Sequence, residues 1–265
     1  IKSIAIVTGL GYSFAKRNWL YRIARLLYRR ALKKTMEVWF LNNEDAAIFT
    51  KEKIVPIEKI KVLPGEGINT DYFFNHSSRS TNTAEFHFLM STRLLKSKGV
   101  RIYADAARIL KRKYYNATFT LIGFFEKHHP DSVAEEDLKK WTGEGLMQYG
   151  GFATDVRPYL EIADCFVLPS FYNEGVPRSL MEAASMELPI LTSFNRGCKE
   201  VVIDNLNGFT CRLNDPFDLA DKMERIINLS QDERNKMGKA GRELVIKKFR
   251  IEKVIAEYER TLEKI

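Results

Sequence analysis

The feature that most constrains the fold is the regular alternation of short apolar runs with longer amphipathic segments from Phe86 onward. The predicted strands are 86–91, 117–123, 146–149, 164–169, 188–193 and 208–212. The predicted helices are 99–113, 131–141, 154–163, 178–187, 199–203, 216–229, 231–247 and 251–264. Strands that alternate with helices form a parallel sheet covered on both faces. Residues 85–247 are therefore predicted to be a complete doubly wound α/β domain.

Residues 1–84 continue the same pattern less completely, as if they were the second half of such a domain. Strands are predicted at 3–8, 37–41 and 59–63, and helices at 17–34 and from Asn42 or Asn43 to about Lys53. Residues 64–84 are rich in Pro, Gly, Asn, Ser and Thr, which predicts a linker. The chain opens with Ile1 directly in a strand, so we expect further residues upstream of it.

The amino-acid composition indicates the class of protein and its cellular compartment. Apolar residues make up 45% and charged residues 29% of the chain, which is typical of an ordinary globular protein. No apolar run approaches the roughly 18–20 residues of a membrane span, and no signal-peptide pattern opens the chain. The odd number and wide spacing of Cys165, Cys198 and Cys211 argue against disulfides and favour a reducing compartment. We expect a cytoplasmic protein.

Residues 16–34 hold eight Lys or Arg and no acid, which equals the net charge of +8 and leaves the rest of the chain formally neutral. As a helix, this segment is predicted to pack on the first sheet through Leu20, Ile23, Ala24, Leu27 and Ala31. Its opposite ridge is formed by Arg22, Arg25, Arg29 and Lys33.

This basic segment, 16–34, has three interpretations. The ridge is a solvated helix face; or it meets an anionic membrane surface, the inner face of the plasma membrane, with Trp19, Tyr21 and Tyr28 at the interface; or it binds nucleic acid. The sequence contains no nucleic-acid-binding motif, so we expect no nucleic-acid partner.

The most informative stretch is 169–182, PSFYNEGVPRSLME, where a polar loop joins a buried strand to a helix. Pro177 suits the first helical position, and the N–H groups that follow it suit a phosphate. Glu174 and Glu182 lie eight positions apart and could flank a ligand whose phosphates lie between them. A carboxylate accepts hydrogen bonds from vicinal hydroxyls, which a nucleotide sugar carries on its ribose and on its sugar. An acid such as Glu182 also occurs near a helix N-terminus merely as a partner of the dipole.

The loop 91–99, STRLLKSKG, also joins a strand to a helix and contains Arg93 and Lys98. Two long cations on such a loop suit a diphosphate, because Arg binds bidentately and Lys acts as a point charge. Surface cations are more often only solvated. The diphosphate interpretation gains from the glutamate-containing loop predicted at the adjacent sheet edge.

Taken together, these residues resemble family 4 of the glycosyltransferases, which are retaining enzymes of the GT-B fold. The resemblance covers essentially all of residues 86–247 and is carried, in order, by Arg93, Lys98-Gly99, Gly150-Gly151-Phe152, Asp155, Pro169-Ser170, Glu174-Gly175-Val176-Pro177-Arg178-Ser179, Glu182-Ala183 and Asn207-Gly208-Phe209. It implies a GT-B type α/β fold with a complete C-terminal Rossmann-like domain and a partial N-terminal one. It also implies that residues 248–265 form a helix crossing back to the first domain.

The resemblance further implies transfer of a sugar, with retention, from a nucleotide sugar to a glycan or polyprenyl-diphosphate-linked acceptor of a bacterial surface polysaccharide. Uridine is the commonest donor base among such enzymes. Arg93 and Lys98 would neutralise the diphosphate, Glu182 would hold the ribose, and Glu174 would hold the transferred sugar. The implied donor site is completed by Gly175, Val176, Pro177, Arg178, Ser179 and Leu180. No cofactor or metal is implied, and the pair His128-His129 lacks partners at ligand spacing.

The first segment resembles the family less closely, through Ile4–Phe14, Asn43–Asp45 and Pro64–Asn69. Many members carry a histidine at the position that Thr8 occupies here. The threonine hydroxyl cannot titrate as a histidine would. The sequence contains no counterpart of the strands and the glycine-rich loop with which the first domain of the family begins. A non-catalytic nucleotide-sugar-binding fragment is therefore the alternative to a transferase.

Overall fold

The computed structural model of the chain describes residues 2–14, 17–75, 85–126 and 128–263, with nothing described of the Tyr12 side chain. Lys16 of the basic segment, residues 76–84 of the predicted linker and residues 264–265 of the last predicted segment lie outside these ranges. Within them, all paired strands are parallel and form two sheets, one of three strands and one of six. The predicted α/β class is confirmed.

The first sheet contains β1 (Ile4–Val7), β2 (Glu37–Phe40) and β3 (Ile60–Val62) in that order. The strands are joined by α1 (Trp19–Ala31) and α2 (Asn43–Lys51). Helix α1 begins two residues later than predicted because Asn18 acts as its cap, accepting a hydrogen bond from the Tyr21 N–H at 3.2 Å. Asn42 caps α2 in the same way, accepting from the Asp45 N–H at 2.8 Å.

The second sheet has the strand order β6-β5-β4-β7-β8-β9. Its strands are β4 (Phe86–Ser91), β5 (Ala117–Ile122), β6 (Gln148–Tyr149), β7 (Cys165–Leu168), β8 (Ile190–Ser193) and β9 (Gly208–Cys211). The helices of this part are α3 (Val100–Leu110), α4 (Glu135–Gly143), α5 (Arg157–Ile162), α6 (Arg178–Ser185), α7 (Pro216–Ile227), α8 (Gln231–Phe249) and α9 (Ile251–Leu262). The strand order reverses direction between β4 and β7. A doubly wound sheet opens a ligand crevice at that point, beyond the carboxyl ends of the strands.

Several predicted helices of the second part differ in extent from those observed, and three of them have a local cause. The helix predicted at 131–141 begins only at Glu135, because Ala134 is extended and Val133 donates its N–H to the Leu94 carbonyl at 2.9 Å. Helix α5 begins at Arg157 rather than at residue 154, since the Asp155 carboxylate accepts the Arg157 N–H at 3.0 Å and ends the preceding loop. The helix predicted at 199–203 is a single 3-10 turn, Cys198–Glu200.

The C-terminal helix lies against the first sheet. The ring of Tyr258 on α9 lies 4.8 Å from that of Trp39, and the Lys61 ammonium pairs with Glu257 at 2.6 Å. The main hydrophobic core includes Trp39 and Ile68 together with the residues around the second sheet, so the core is continuous between the two parts of the chain. The division at 84/85 and 247/248 stays a prediction.

Helix α1 packs through a different face from the predicted one. Tyr21 and Leu32 are buried, whereas Ile23 and Leu27 are 47% and 60% exposed. The rings of Tyr21 and Tyr28 lie 5.2 and 5.9 Å from that of Phe14, and the Tyr28 ring also lies 5.2 Å from Phe49. Aromatic side chains bury more area than aliphatic ones and gain from edge-on contacts. This aromatic cluster therefore sets the rotation of the helix and turns its aliphatic residues outward.

The two parts of the chain meet where three backbone segments pass within van der Waals distance. A Cβ atom on Gly175 would lie 2.0 Å from the Thr8 carbonyl oxygen, and one on Gly197 would lie 1.7 Å from the Gly175 carbonyl oxygen. On the other side, a Cβ on Gly9 would approach the Asn173 carbonyl oxygen to 3.1 Å. Only glycine fits at Gly175 and Gly197 without displacing backbone.

We predict that Gly175→Ala lowers the free energy of unfolding by about 1–3 kcal/mol, the usual cost of forcing an extra carbon into a packed site. Thermal unfolding followed by circular dichroism measures the change. The matched control is Gly143→Ala at the end of α4, where a Cβ would meet no atom within 4 Å. The control is expected to be neutral or stabilising by up to about 1 kcal/mol. Equal melting temperatures for Gly175→Ala and the wild type would contradict the close approach of the backbones.

Candidate active site

A cavity of about 650 Å³ opens at the crevice between the two sheets, a size common among ligand sites. Its wall on the side of the first sheet is lined by Thr8, Gly9, Leu41 and Glu66. The opposite wall consists mainly of the loops that follow β4, β5, β6 and β7, together with the first turn of α6. All the predicted site residues except Leu180 line this cavity.

The loops after β4 and β7 are held together by main-chain hydrogen bonds. The Ser97 carbonyl accepts the N–H groups of Phe171 at 2.9 Å and Tyr172 at 3.1 Å. Gly99 has a positive φ of 82°, and a Cβ there would lie 2.2 Å from the Pro169 carbonyl oxygen. Glycine is thus required for the loop carrying Lys98 to lie against the loop carrying Glu174.

Lys98 and Glu174 form a buried ion pair at the base of the cavity. The Lys98 Nζ lies 2.5 Å from Glu174 Oε1, and the residues are only 9% and 7% exposed. Ser170 Oγ donates to the same carboxylate oxygen at 2.8 Å, and the Tyr172 ring centre lies 5.1 Å from the ammonium. Among the described residues, none donates a hydrogen bond to Glu174 Oε2. The carboxylate can therefore accept a ligand hydroxyl while it still pairs with Lys98.

Arg93 lies at the more open part of the cavity. Its side chain is 40% exposed, and its guanidinium donates to Glu126 Oε1 at 3.0 Å. The two cations predicted to meet a diphosphate thus line one cavity, with Lys98 fixed by burial and Arg93 accessible from solvent. Glu126 was not singled out from the sequence, because its position after β5 gives no sign of where its side chain turns.

The N-terminus of α6 lies beside the ion pair, and the place of Pro177 in it differs from the one that the sequence predicted. Pro177 is the cap of α6, with ψ at 119°, rather than its first helical residue. Among the described residues, none accepts a hydrogen bond from the N–H groups of Arg178 and Ser179. Leu180 departs from the expectation, because its N–H donates to the Pro177 carbonyl at 3.2 Å and its side chain is fully buried.

Glu182 lies one turn inside α6 and lines the cavity. Burial raises the pKa of its carboxyl above the usual value for glutamate, and the neighbouring Arg178 opposes that shift only in part. The Arg178 Nε donates to Glu182 Oε1 at 2.9 Å. Glu182 is thus a largely buried carboxylate that lines the cavity, and its ligand role stays a prediction.

Besides Tyr172, two further aromatic side chains line the cavity and were not predicted as site residues. Phe124 follows β5 and Phe152 follows β6, and their ring centres lie 5.7 Å apart in an edge-on arrangement. They are 40% and 65% exposed. The sequence signal was available, because a glycine precedes each of them directly after a strand that ends at the ligand edge of the sheet.

Asn42 on the first segment holds the loop that carries Glu174. Its side-chain amide donates to the carbonyl oxygens of Glu174 at 3.4 Å and Gly175 at 3.3 Å, and to Asp45 Oδ2 at 3.0 Å. Asp45 is 1% exposed and accepts from Arg196 at 3.2 Å. Burial raises the pKa of Asp45 even though both Asn42 and Arg196 stabilise its charge. These contacts bind the two parts of the chain at the site itself.

In the described part of the chain, no group of three or more His, Cys, Asp and Glu side chains could hold a metal ion. Cys165, Cys198 and Cys211 are buried thiols that form no disulfide among the described residues, and burial raises the pKa of both Cys198 and Cys211 to about 12. Thiols with such values are not nucleophiles at neutral pH. Among the described helices, none is long and apolar enough to cross a membrane.

Known bacterial enzymes are similar to this chain in sequence. An α-1,3-N-acetylgalactosaminyltransferase of Campylobacter jejuni, named for its N,N'-diacetylbacillosaminyl-diphospho-undecaprenol substrate, is 29% identical over 237 residues, which are 84% of this chain and 60% of that protein. A UDP-Gal:α-D-GlcNAc-diphosphoundecaprenol α-1,3-galactosyltransferase of Escherichia coli is 27% identical over 87% of this chain and 63% of its own length. The chain thus spans about three fifths of the length of these relatives.

Solved structures share the whole architecture. HepE from Anabaena in complex with UDP-glucose has a TM-score of 0.84 at 18% identity, covering 99% of this chain and 72% of HepE. A glycosyltransferase from Rickettsia africae has a TM-score of 0.79 at 20% identity, covering 99% of this chain and 71% of that structure. At these identities the likeness shows the fold, and it confirms the GT-B type predicted from the sequence.

The family described as Glycosyl transferases group 1 matches residues 72–244, well over half of the chain, and that range contains both site loops, the Lys98–Glu174 pair and Glu182. The chain therefore belongs to the group 1 glycosyltransferases.

Proposed function

We propose that the cavity binds a UDP-sugar, the donor class bound in the complex of the structural neighbour HepE, and that the protein transfers the sugar with retention to a lipid-linked glycan. The observation that carries this proposal is the buried Lys98–Glu174 pair beside the N-terminus of α6. One charge of each sign is held at the place where a diphosphate and a sugar hydroxyl would meet.

The diphosphate would lie between Lys98, Arg93 and the N–H groups of Arg178 and Ser179. If the Lys98 side chain left the cavity, the buried Glu174 carboxylate would lose its ion-pair partner. The Lys98 ammonium charge is therefore already in place before the donor arrives. Such preorganised charge stabilises the leaving diphosphate as the glycosidic bond breaks, at no cost of reorganisation. Arg93, the more exposed member of its pair with Glu126, can exchange that partner for a phosphate oxygen.

The remaining donor groups find partners on either side of the phosphates. The Glu182 carboxylate would accept the ribose hydroxyls, and Glu174 Oε2 would accept a hydroxyl of the transferred sugar. The base would lie against Phe124 and Phe152, whose exposed rings provide a stacking surface. No metal is assigned in this arrangement, because cationic side chains and helix N–H groups account for the charge of the diphosphate.

Retention would follow from attack on the face that the diphosphate leaves. In that step the bond from the anomeric carbon to the phosphate oxygen breaks, and a bond to the acceptor oxygen forms on the same face. The acceptor proton goes to the departing phosphate oxygen, which Arg93 and Lys98 stabilise. Thr8 lines the cavity without an ionisable side chain, so the proposal assigns it no proton transfer.

The acceptor is inferred from the relatives. The names of the Campylobacter jejuni and Escherichia coli enzymes both contain a diphosphoundecaprenol-linked sugar. We infer a polyprenyl-diphosphate-linked glycan for this protein, used on the cytoplasmic face of a membrane. It would approach the wall lined by Thr8, Gly9 and Glu66. The alternative remains a chain that binds a nucleotide sugar without transferring it, which the chain's coverage of about three fifths of these relatives keeps open.

Isothermal titration of the chain with UDP-, GDP- and ADP-sugars in the absence of metal tests donor binding. We expect one donor class to bind saturably, and Arg93→Ala to weaken it about ten- to a hundredfold, because a hydrogen bond to a charged group contributes ~1.5–3 kcal/mol. Glu182→Ala is expected to have a comparable effect. Arg212→Ala and Glu259→Ala, exposed positions outside the cavity, are the matched controls and should bind as the wild type does. A folded chain that binds no donor contradicts the donor site.

The raised pKa of Glu182 predicts that donor affinity declines on acidification at a less acidic pH than an ordinary glutamate would give. The sign follows because only the ionised carboxylate accepts both ribose hydroxyls, and burial keeps this group protonated up to a higher pH. Titrations between neutral and mildly acidic pH measure the effect. In Glu182→Gln the affinity should be lower at neutral pH and should lose this pH dependence. A pH profile unchanged by Glu182→Gln would remove the ribose assignment.

Transfer itself requires a separate measurement. The chain is incubated with the donor found above and a short polyprenyl-diphosphate-linked sugar, and the anomeric configuration of the product is read by NMR. Retention is expected, and Glu174→Gln should lower kcat because the sugar loses its carboxylate partner. Donor binding without any transfer would support the non-catalytic alternative, and an inverted product would overturn the proposed mechanism.

A further inference from the structure

The outward face of α1 is apolar. Trp19, Ile23, Leu26 and Leu27 are 66%, 47%, 60% and 60% exposed. Their spacing places them on one side of the helix, opposite the packed side formed by the buried Tyr21, the half-buried Tyr28 and the buried Leu32 of the turn that follows. We call these four residues the α1 stripe. Single exposed apolar side chains need no explanation, but a contiguous set of large ones marks a contact surface.

Cations without ion-pair partners accompany the α1 stripe. Arg17 and Arg25 are the exceptions, because both pair with Glu52, at 2.8 and 3.0 Å. By contrast, a second set on the same helix and the turn after it is exposed, and its side chains form no ion pair with any described residue. This set consists of Arg22, Arg29, Arg30, Lys33 and Lys34. Arg30 falls within the stripe, and Arg22 and Arg29 flank it.

A groove of about 610 Å³ continues this surface beyond the C-terminal end of α1. Arg29 and Lys33 line it from α1 and Lys53 from the end of α2, while Ile57, which is 71% exposed, forms part of its apolar lining. Lys59 closes one side by donating to the carbonyl oxygens of Lys33 at 3.1 Å and Thr35 at 2.8 Å. The lining contains four cations and no acid, and Glu58, next to Ile57, lies outside it.

We propose that the α1 stripe, the five unpaired cations and this groove form one docking surface for an anionic phospholipid bilayer. The stripe would enter the interfacial region, where tryptophan and leucine side chains are favoured, and the cations would meet lipid phosphates. The proposal rests on this surface alone and holds whether or not the chain transfers a sugar.

Charge distinguishes the bilayer from other occupants. In a two-fold dimer through this face, the cations of one copy would lie close to those of the other with no acid between them. Nucleic acid would satisfy the cations but would leave the apolar stripe against phosphates. A bilayer with anionic headgroups provides apolar and anionic material in the same layer, which both halves of the surface require.

Co-sedimentation of the whole chain with phospholipid vesicles tests the proposal. Vesicles of phosphatidylcholine alone are compared with vesicles of equal parts phosphatidylcholine and phosphatidylglycerol, and we expect binding to the anionic ones. Trp19 provides a second signal, because Trp39 and Trp141, the other two tryptophans of the chain, are buried. Its fluorescence emission should shift to the blue on anionic vesicles, and the shift should be absent in Trp19→Phe.

Two variants separate the contributions. Arg22→Gln/Arg29→Gln/Arg30→Gln should lower the partition coefficient on the order of a hundredfold, since each cation near the surface contributes a factor of about five. The matched control, Lys236→Gln/Lys239→Gln/Lys247→Gln on α8, loses the same net charge at exposed positions and should bind nearly as well as the wild type. Leu26→Ser/Leu27→Ser should weaken binding and reduce the blue shift. Circular dichroism confirms that each variant is folded.

Several results would overturn the proposal. Absence of binding to anionic vesicles would do so, as would equal loss of binding in the α1 and α8 variants, which would indicate a response to overall charge alone. Binding without a Trp19 shift would contradict insertion of the stripe. A concentration-dependent dimer that Leu26→Ser/Leu27→Ser abolishes, without vesicle binding, would assign the face to a second copy. Donor titration of the same samples reports separately on the sugar-binding site.

Discussion

The buried ion pair between Lys98 and Glu174 is the interaction on which the rest of the site depends. Removing either partner would leave a charge in a desolvated place, at a cost of about 3–5 kcal/mol. The pair exists because the strand order reverses between β4 and β7, which brings the loops that follow these strands to one crevice. Gly99 then permits the main chains to approach closely enough for Ser97 to accept two amide hydrogen bonds from the opposite loop.

A second constraint fixes the first segment against this pair. Gly175 follows Glu174 directly and leaves no space between its Cα and the Thr8 carbonyl, so the carboxylate and the first sheet hold a defined relative position. Asn42 reinforces the contact by donating to the carbonyl oxygens of Glu174 and Gly175. The cavity therefore has walls from both parts of the chain, and a shift of one part relative to the other would reach Glu174 through its own backbone.

Much of the site was predictable because its signals are local. Arg93, Lys98, Glu174 and Glu182 each follow a strand end or a helix start that apolar periodicity reveals, and the structure places them in one cavity. The contributions of Ser170, Glu126 and Asn42 were not predictable in the same way. Each acts through a partner between 4 and 133 positions away, and nothing in the local pattern shows which partner a polar side chain will turn toward.

The basic helix shows where periodicity alone fails. Its aliphatic residues and its tyrosines lie on different sides of the helix, and each set by itself has the spacing of a buried helix face. The sequence by itself determined the alternation of strands and helices, the site loops, the start of α2 at Asn42 or Asn43 and the concentration of charge in residues 16–34, because each depends on residues close together along the chain. Only the tertiary structure decided which face of α1 is buried, which carboxylate pairs with Lys98 and where glycine alone fits, because each depends on the shape and charge of a surface contributed by a distant part of the chain.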